Sequence, residues 1–388
     1  MGIFETIHNR KNTRSVKWDL VKDLFQSEDV LPMWVADMDF QAPEAVNQAL
    51  IERATHGIYG YTIVDESVKS SIVNWISKRH HWKIESHWLS FSPGVVTTLH
   101  MAIQALTEPD DAILIQTPVY TPFYNVIEAH NRKIVRNPLI LDGNKYMIDF
   151  LDFEEKLKQG IKAFILCNPH NPVGRVWTKE ELEKMVTLCE EYNVLIISDE
   201  IHSDLTFPNK KHISIASISE EIANNSVTCM APSKTFNLAG LQASYAITPN
   251  KIIREKLDQQ FFTQGFHGLN TMGNTALEAA YNYGEEWLDG LREIIHSHYH
   301  FVKDKLEKHT KLRVSDGDGT YLVWIDCSSL NLDAKGLKKF FNEEAKVGLN
   351  AGVDYGKEAE QYMRMNIACP KEILEEGVYR IIQALQNR

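Results

Sequence analysis

The chain has 388 residues, long enough for two domains and for a core that needs no disulfide staples. Hydrophobic residues make up 44% and charged residues 24%, an ordinary globular balance, and the formal net charge of −11 argues against a surface built for nucleic acid. Five cysteines lie far apart with no Cys-x-x-Cys pair, so they read as free thiols in a reducing compartment.

The first residues lack the basic start and apolar run of a signal peptide, and no stretch approaches the roughly 18 apolar residues that span a bilayer. A cytoplasmic protein that binds no membrane is expected. Residues 10–40 form an arm rich in basic and aromatic side chains, ending in Leu31-Pro32-Met33-Trp34-Val35-Ala36-Asp37-Met38-Asp39-Phe40. This run alternates too little for a clear strand, and its two aspartates read as caps for the next element. Pro43 then opens a helix through Arg53, since a missing N–H is harmless in a first turn. The glycine-punctuated loop His56-Gly57-Ile58-Tyr59-Gly60-Tyr61-Thr62 carries tyrosines that either pack or reach a ligand or partner subunit. Helical spacing resumes over 66–82.

In Ser92-Pro93-Gly94-Val95-Val96, serine suits an N-cap and proline the first helical position. Leu99, Ile103 and Leu106 mark the buried face of the adjoining helix. The free amides of Gly94, Val95 and Val96 would face an anion, and a phosphate fits there. Short apolar runs then alternate with helical segments. Residues 112–115, 163–166, 194–197 and 227–230 lack alternation, as expected of parallel strands covered on both faces. Thr178 and Glu181 form a capping-box pattern on the helix through Glu191. Ligands of such sheets sit beyond the carboxyl ends of the strands, which would bring Tyr120, Asn171, Asp199 and Lys234 to one rim. An aromatic face, an amide, a carboxylate and an amine converging there make a cofactor site, because a lysine amine can form a Schiff base with a carbonyl cofactor.

A long helical stretch from about Asn274 to Lys308 reads as a connector into a second domain, and Thr320 to Asp326 as a strand after the Asp316-Gly317-Asp318-Gly319 turn. His296, His298 and His300 alternate, which scatters them round a helix and makes a poor metal site; no metal is expected. Arg364, on an apolar strand-like segment, needs an anionic partner.

Seven blocks, in order, carry a family resemblance: Leu31 to Phe40, His56 to Thr62, Ser92 to Thr97, Asn168 to Gly174 (NPHNPVG), Asp199 to Leu205 (DEIHSDL), Ser233 to Leu241 (SKTFNLAGL) and Arg364 to Pro370 (RMNIACP). Over nearly its whole length the chain resembles the pyridoxal-phosphate enzymes of the aspartate-aminotransferase fold. It is most similar to their cystathionine β-lyase or C-S lyase branch, of the MalY/PatB kind. The resemblance implies an α/β fold with a mostly parallel sheet sandwiched by helices, and a smaller α+β domain drawn from both chain ends. Residues 1–45 would be an arm and part of that small domain, 46–285 the cofactor domain and 286–388 the rest of the small domain.

By the same resemblance, Lys234 would hold pyridoxal 5′-phosphate and move the Cα proton. Asp199 would pair with the pyridinium nitrogen, Tyr120 would stack on the ring and act beside Lys234 as a catalytic residue, the departing thiolate being protonated by Lys234 or a tyrosine, and Asn171 and His202 would sit near the ring's 3-oxygen. Gly94, Val95, Val96 and Ser233 would hold the phosphate, with Tyr61 arriving from a second subunit of a homodimer. Arg364, with Val35 and Ala36 nearby and Asn171 beside it, would bind the carboxylate of an amino-acid substrate. Many aminotransferases carry a phosphate-binding arginine where this chain has Gln242, and many relatives a tyrosine where it has His202. The implied reaction is α,β-elimination of cystathionine or a related cysteine thioether, a step that serves methionine biosynthesis. Amino transfer, or a non-catalytic binding role on the same scaffold, are the alternatives.

Overall fold

The computed structural model describes residues 2–388. Its largest sheet has seven strands in the spatial order Leu89–Ser92, Ser244–Ile247, Ser226–Met230, Leu195–Asp199, Ile161–Cys167, Ala112–Thr117 and Lys133–Pro138. Every neighbouring pair is parallel except those made by Ser244–Ile247, which runs against both of its neighbours. The four strands expected from apolar runs are all present. Their lack of alternation has a direct cause. Leu114, Phe164 and Ile196 enter a core under the helices Phe150–Leu157 and Lys179–Glu191, while Ile113, Ile115, Ile165 and Ile197 enter another under Val95–Leu106, Pro122–Ala129 and Lys251–Thr263. Each face is buried, so both parities must be apolar. The three strands that sequence alone did not reveal are short or, for Lys133–Pro138, half-exposed at an edge.

A second sheet is wholly antiparallel, ordered Arg313–Val314, Leu322–Asp326, Tyr362–Asn366 and Asn350–Ala351. Leu31–Pro32 pairs in parallel with Val347–Gly348, so the amino-terminal segment is stitched to the carboxyl-terminal part of the chain.

Three local expectations change. Ser92 ends a strand, and the cap of the helix Val95–Leu106 is Gly94. Ser92 Oγ instead meets Thr98 Oγ1 at 2.7 Å and Ser244 Oγ at 2.6 Å, tying the sheet edge to the helix. The expected continuous helix 274–308 is two helices, Thr271–Tyr283 and Glu285–His309. They break at Gly284, where a Cβ would lie 2.5 Å from both Ala280 O and a Phe236 ring carbon, so only glycine allows that approach. Asp37 and Asp39 cap nothing; both are ion-paired to the arm, Arg10 to each and buried Lys17 to Asp39. The capping box of Thr178 and Glu181 forms as expected.

Candidate active site

Chain topology gathers the chemistry. Thr117, Cys167, Asp199 and Met230 end parallel strands at one edge, so Tyr120, Asn171, Asp199 and Lys234 follow from or finish neighbouring strands. They line one cavity of about 210 Å³ with Gly94, Val95, Val96, His202 and Ser233. Ala36 closes it from the amino-terminal segment, and Gln242 lies in its wall with a left-handed backbone (φ 54°).

The charges in this cavity are poorly compensated. Asp199 is buried and accepts one hydrogen bond, from the Ile201 amide at 3.1 Å. Burial raises its carboxyl to about 7, against the Ile201 amide and with the help of Glu200. Lys234 Nζ donates to Ala36 O at 2.7 Å and forms no ion pair among the described residues. Loss of solvent first, then the Arg364 charge, lowers its amine to about 8, with Asp37 and Asp199 acting the other way. Burial, helped by Lys234 and Arg364, drives His202 down to about 3, so its imidazole is neutral, and its Nδ1 is buried without a partner among the described residues.

A protonated ring nitrogen beside Asp199 would return that carboxylate to its charged form. A carbonyl carbon would find in Lys234 an amine near its nucleophilic state. A phosphate would meet the first-turn amides of Val95–Leu106 and the Ser233 hydroxyl. Among the described residues the only cationic side chain in the lining is Lys234, so the helix terminus would share in carrying an anion's charge. The donor set therefore fits an aldehyde-bearing pyridine phosphate.

Arg364 lies beside this cavity on the strand Tyr362–Asn366 and is 3% exposed. The expected anionic partner is absent: among the described residues no carboxylate pairs with it. Its Nη1 donates to Asn171 Oδ1 at 3.0 Å, and its Nη2 to Asn350 Oδ1 at 2.7 Å and Trp34 O at 3.0 Å, while Nε has no partner among those residues. The ring of Tyr355 lies 5.0 Å from the guanidinium carbon. A buried cation surrounded by neutral acceptors is a poor resting state and a good receptor for a carboxylate.

One expected placement shifts. Val35 O accepts from Asn366 Nδ2 at 2.7 Å, and it is Trp34, one residue earlier, whose carbonyl reaches Arg364. Tyr61 lines no part of its own chain's cavity and is fully exposed, while Tyr59 on the same loop lies against Arg53 and donates to Ala54 O at 3.1 Å. Sequence reasoning missed Tyr321, whose buried hydroxyl donates to Ala36 O at 3.1 Å, the same carbonyl that holds Lys234. It also missed Asn350 and Tyr355, which have no motif around them and reach Arg364 only through the second sheet.

The lowered amine sets a pH dependence. Schiff-base formation needs neutral Lys234, so the rate of cofactor capture by the cofactor-free protein should rise about tenfold per pH unit at low pH and level off near pH 8. Stopped-flow absorbance checks this; a rise continuing to the ordinary lysine value of 10.5 would contradict the assigned environment.

Residues 28–381 match the aminotransferase class I and II family. The chain is 46% identical to cystathionine beta-lyase PatB of Bacillus subtilis, covering 98% of this chain and 99% of that protein. The structure of cystalysin from Treponema denticola, which contains a pyridoxal 5′-phosphate cofactor, superposes with a TM-score of 0.96 at 35% identity, covering 99% and 98% of the two chains. The pyridoxal-phosphate-bound C-S lyase of Staphylococcus hominis gives 0.92 at 33%, covering 98% and 97%.

Proposed function

We propose, for a chain that belongs to the aminotransferase class I and II family, a pyridoxal-phosphate-dependent carbon–sulfur lyase that cleaves cysteine thioethers such as cystathionine by α,β-elimination. The observation that carries this reading is one lowered amine, Lys234, in the cavity lining, and one buried and uncompensated guanidinium, Arg364, beside it, bonded to the lining residue Asn171. The likeness to PatB over nearly the full length of both chains supports elimination over amino transfer.

Pyridoxal phosphate, when bound, supplies a ring that accepts the electron pair left at the substrate Cα. Arg364 binds the substrate carboxylate in two-point fashion, and Asn171 stays beside it through the hydrogen bond they share. Asp199 would keep a proton on the ring nitrogen, and Tyr120, in the same lining, would hold the ring. Lys234, neutral, takes the Cα proton and in its ammonium form is the donor placed to protonate the departing sulfur. The Cβ–S bond breaks and releases a thiol; the aminoacrylate left from the rest of the substrate takes up one water to give pyruvate and ammonia. Tyr61, exposed on its loop, would complete the phosphate site of a second subunit in a homodimer, and a cytoplasmic setting suits the free cysteines.

The test is a panel of cystathionine, cystine and bulkier S-substituted cysteines offered to cofactor-loaded protein, with thiol release followed at each. Release from at least one thioether without any added keto acid supports the reading. Turnover that depends on a keto acid acceptor would replace it with amino transfer.

A further inference from the structure

The amino-terminal arm carries a buried ion cluster that the proposed reaction does not use. Lys17, 1% exposed, places Nζ 2.6 Å from Asp39 Oδ2 and 3.4 Å from Asp37 O. Asp39 Oδ1 also accepts from Arg10 Nη1 at 2.7 Å and from Trp18 Nε1 at 2.8 Å. Arg10 grips Asp37 with both guanidinium nitrogens, at 3.1 and 2.9 Å, and donates to Met38 O at 3.0 Å. Burying a lysine is costly unless it is paired and hydrogen-bonded, and an arm that needed only tethering could use surface contacts. The segment held by the cluster is therefore informative.

It is a strip of consecutive carbonyls. Trp34 O accepts from Arg364, Val35 O from Asn366, Ala36 O from both Lys234 and Tyr321, and Asp37 O from Asn366 Nδ2 at 2.6 Å as well as from Lys17. Asn237, three residues past the reactive lysine, exchanges hydrogen bonds of 3.0 Å with both the N–H and the C=O of Met38. The strip thus touches the carboxylate-binding guanidinium and the lysine turn at once, and the Lys17–Asp39 pair anchors its far end.

We propose that Lys17 and Asp39, together with Arg10, are positioning residues that set the Trp34–Asp37 carbonyls and thereby the substrate-carboxylate pocket around Arg364. The proposal rests on the reading that this site receives an amino acid. A small displacement of the strip would let Trp34 O drift from Arg364 and misalign the guanidinium, weakening substrate binding more than the subsequent chemistry.

The experiment uses cofactor-loaded full-length protein and an α-methyl amino acid, which binds without losing a Cα proton. Its dissociation constant is read from the shift in the cofactor's absorption. Lys17→Met should raise that constant about tenfold, while Lys17→Arg, which keeps the charge, stays within about threefold of wild type. Trypsin cleavage after Lys11 and Arg14, in the exposed bend of the arm, should run about fivefold faster in Lys17→Met. Should Lys17→Met not fold, Asp39→Asn serves, since it keeps the shape and removes the charge. Faster cleavage with an unchanged dissociation constant would reduce the cluster to an arm anchor and overturn the proposal; so would no change in either. A wild-type protein that binds the amino acid but cleaves no C–S bond overturns the lyase reading alone, and one that does not bind it overturns both.

Discussion

Replacing Lys234 with alanine should lower thioether turnover by at least about 10³-fold, equivalent to roughly 4 kcal/mol of transition-state stabilisation. The cavity holds no substitute among the described residues. His202 is the other basic side chain in the lining, and burial keeps its imidazole so weakly basic, near 3, that it cannot take over proton removal. The variant should fold normally, because the lysine makes one hydrogen bond, to Ala36 O, and Tyr321 still satisfies that carbonyl. Borohydride should fix the cofactor to wild-type protein and not to Lys234→Ala, and an added small primary amine should restore part of the rate. Undiminished turnover in the variant would remove the lysine from the chemistry altogether.

Arg364→Ala has the second largest expected effect. It strips a cation from a buried pocket and leaves Asn171 Oδ1, Asn350 Oδ1 and Trp34 O without the donor that joins them. Truncating one partner of a buried charge pair costs roughly 2–5 kcal/mol, so kcat/KM should fall about 10² to 10³-fold, mostly through KM. Lysine at this position should recover little, because a point charge cannot bind a carboxylate at two points or stack on the Tyr355 ring. A second consequence separates this role from a structural one. The Arg364 charge helps hold the Lys234 amine down, so its removal raises that pKa and should move the pH midpoint of cofactor capture upward. Steady-state kinetics and the capture profile check both parts.

Much of this site is legible in the sequence because its chemistry sits at strand ends. A both-face-buried strand must be apolar throughout, so where the polarity returns, at Asp199 or just before Lys234, the strand has ended at the ligand edge. The residues that escape such a reading are held by partners distant in sequence. Asp37 and Asp39 read as caps, since nothing local reveals that Arg10 and Lys17 pair with them across 22 to 29 residues. Asp318 reads as a turn residue, yet it pairs with buried Arg175 at 3.0 Å, 143 residues away. Tyr321 reads only as part of a strand, because its hydroxyl finds Ala36 through tertiary packing. Gly284 and Gly290 both interrupt the helical pattern and only the first breaks it; the Phe236 ring beside Gly284 supplies the reason. The contrast of Gln242 with the arginine of many aminotransferases rests on resemblance alone; the structure adds that Gln242 lies in the cavity wall.

Whether the protein performs elimination is decided most directly by product stoichiometry. Cofactor-loaded protein is given cystathionine with no keto acid, and thiol, pyruvate and ammonia are quantified over many turnovers, with Lys234→Ala as the blank. Equal amounts of the three products, accumulating well beyond the enzyme concentration, are expected. A reaction that stops after one equivalent, with the amino group retained on the protein until a keto acid is added, would contradict it.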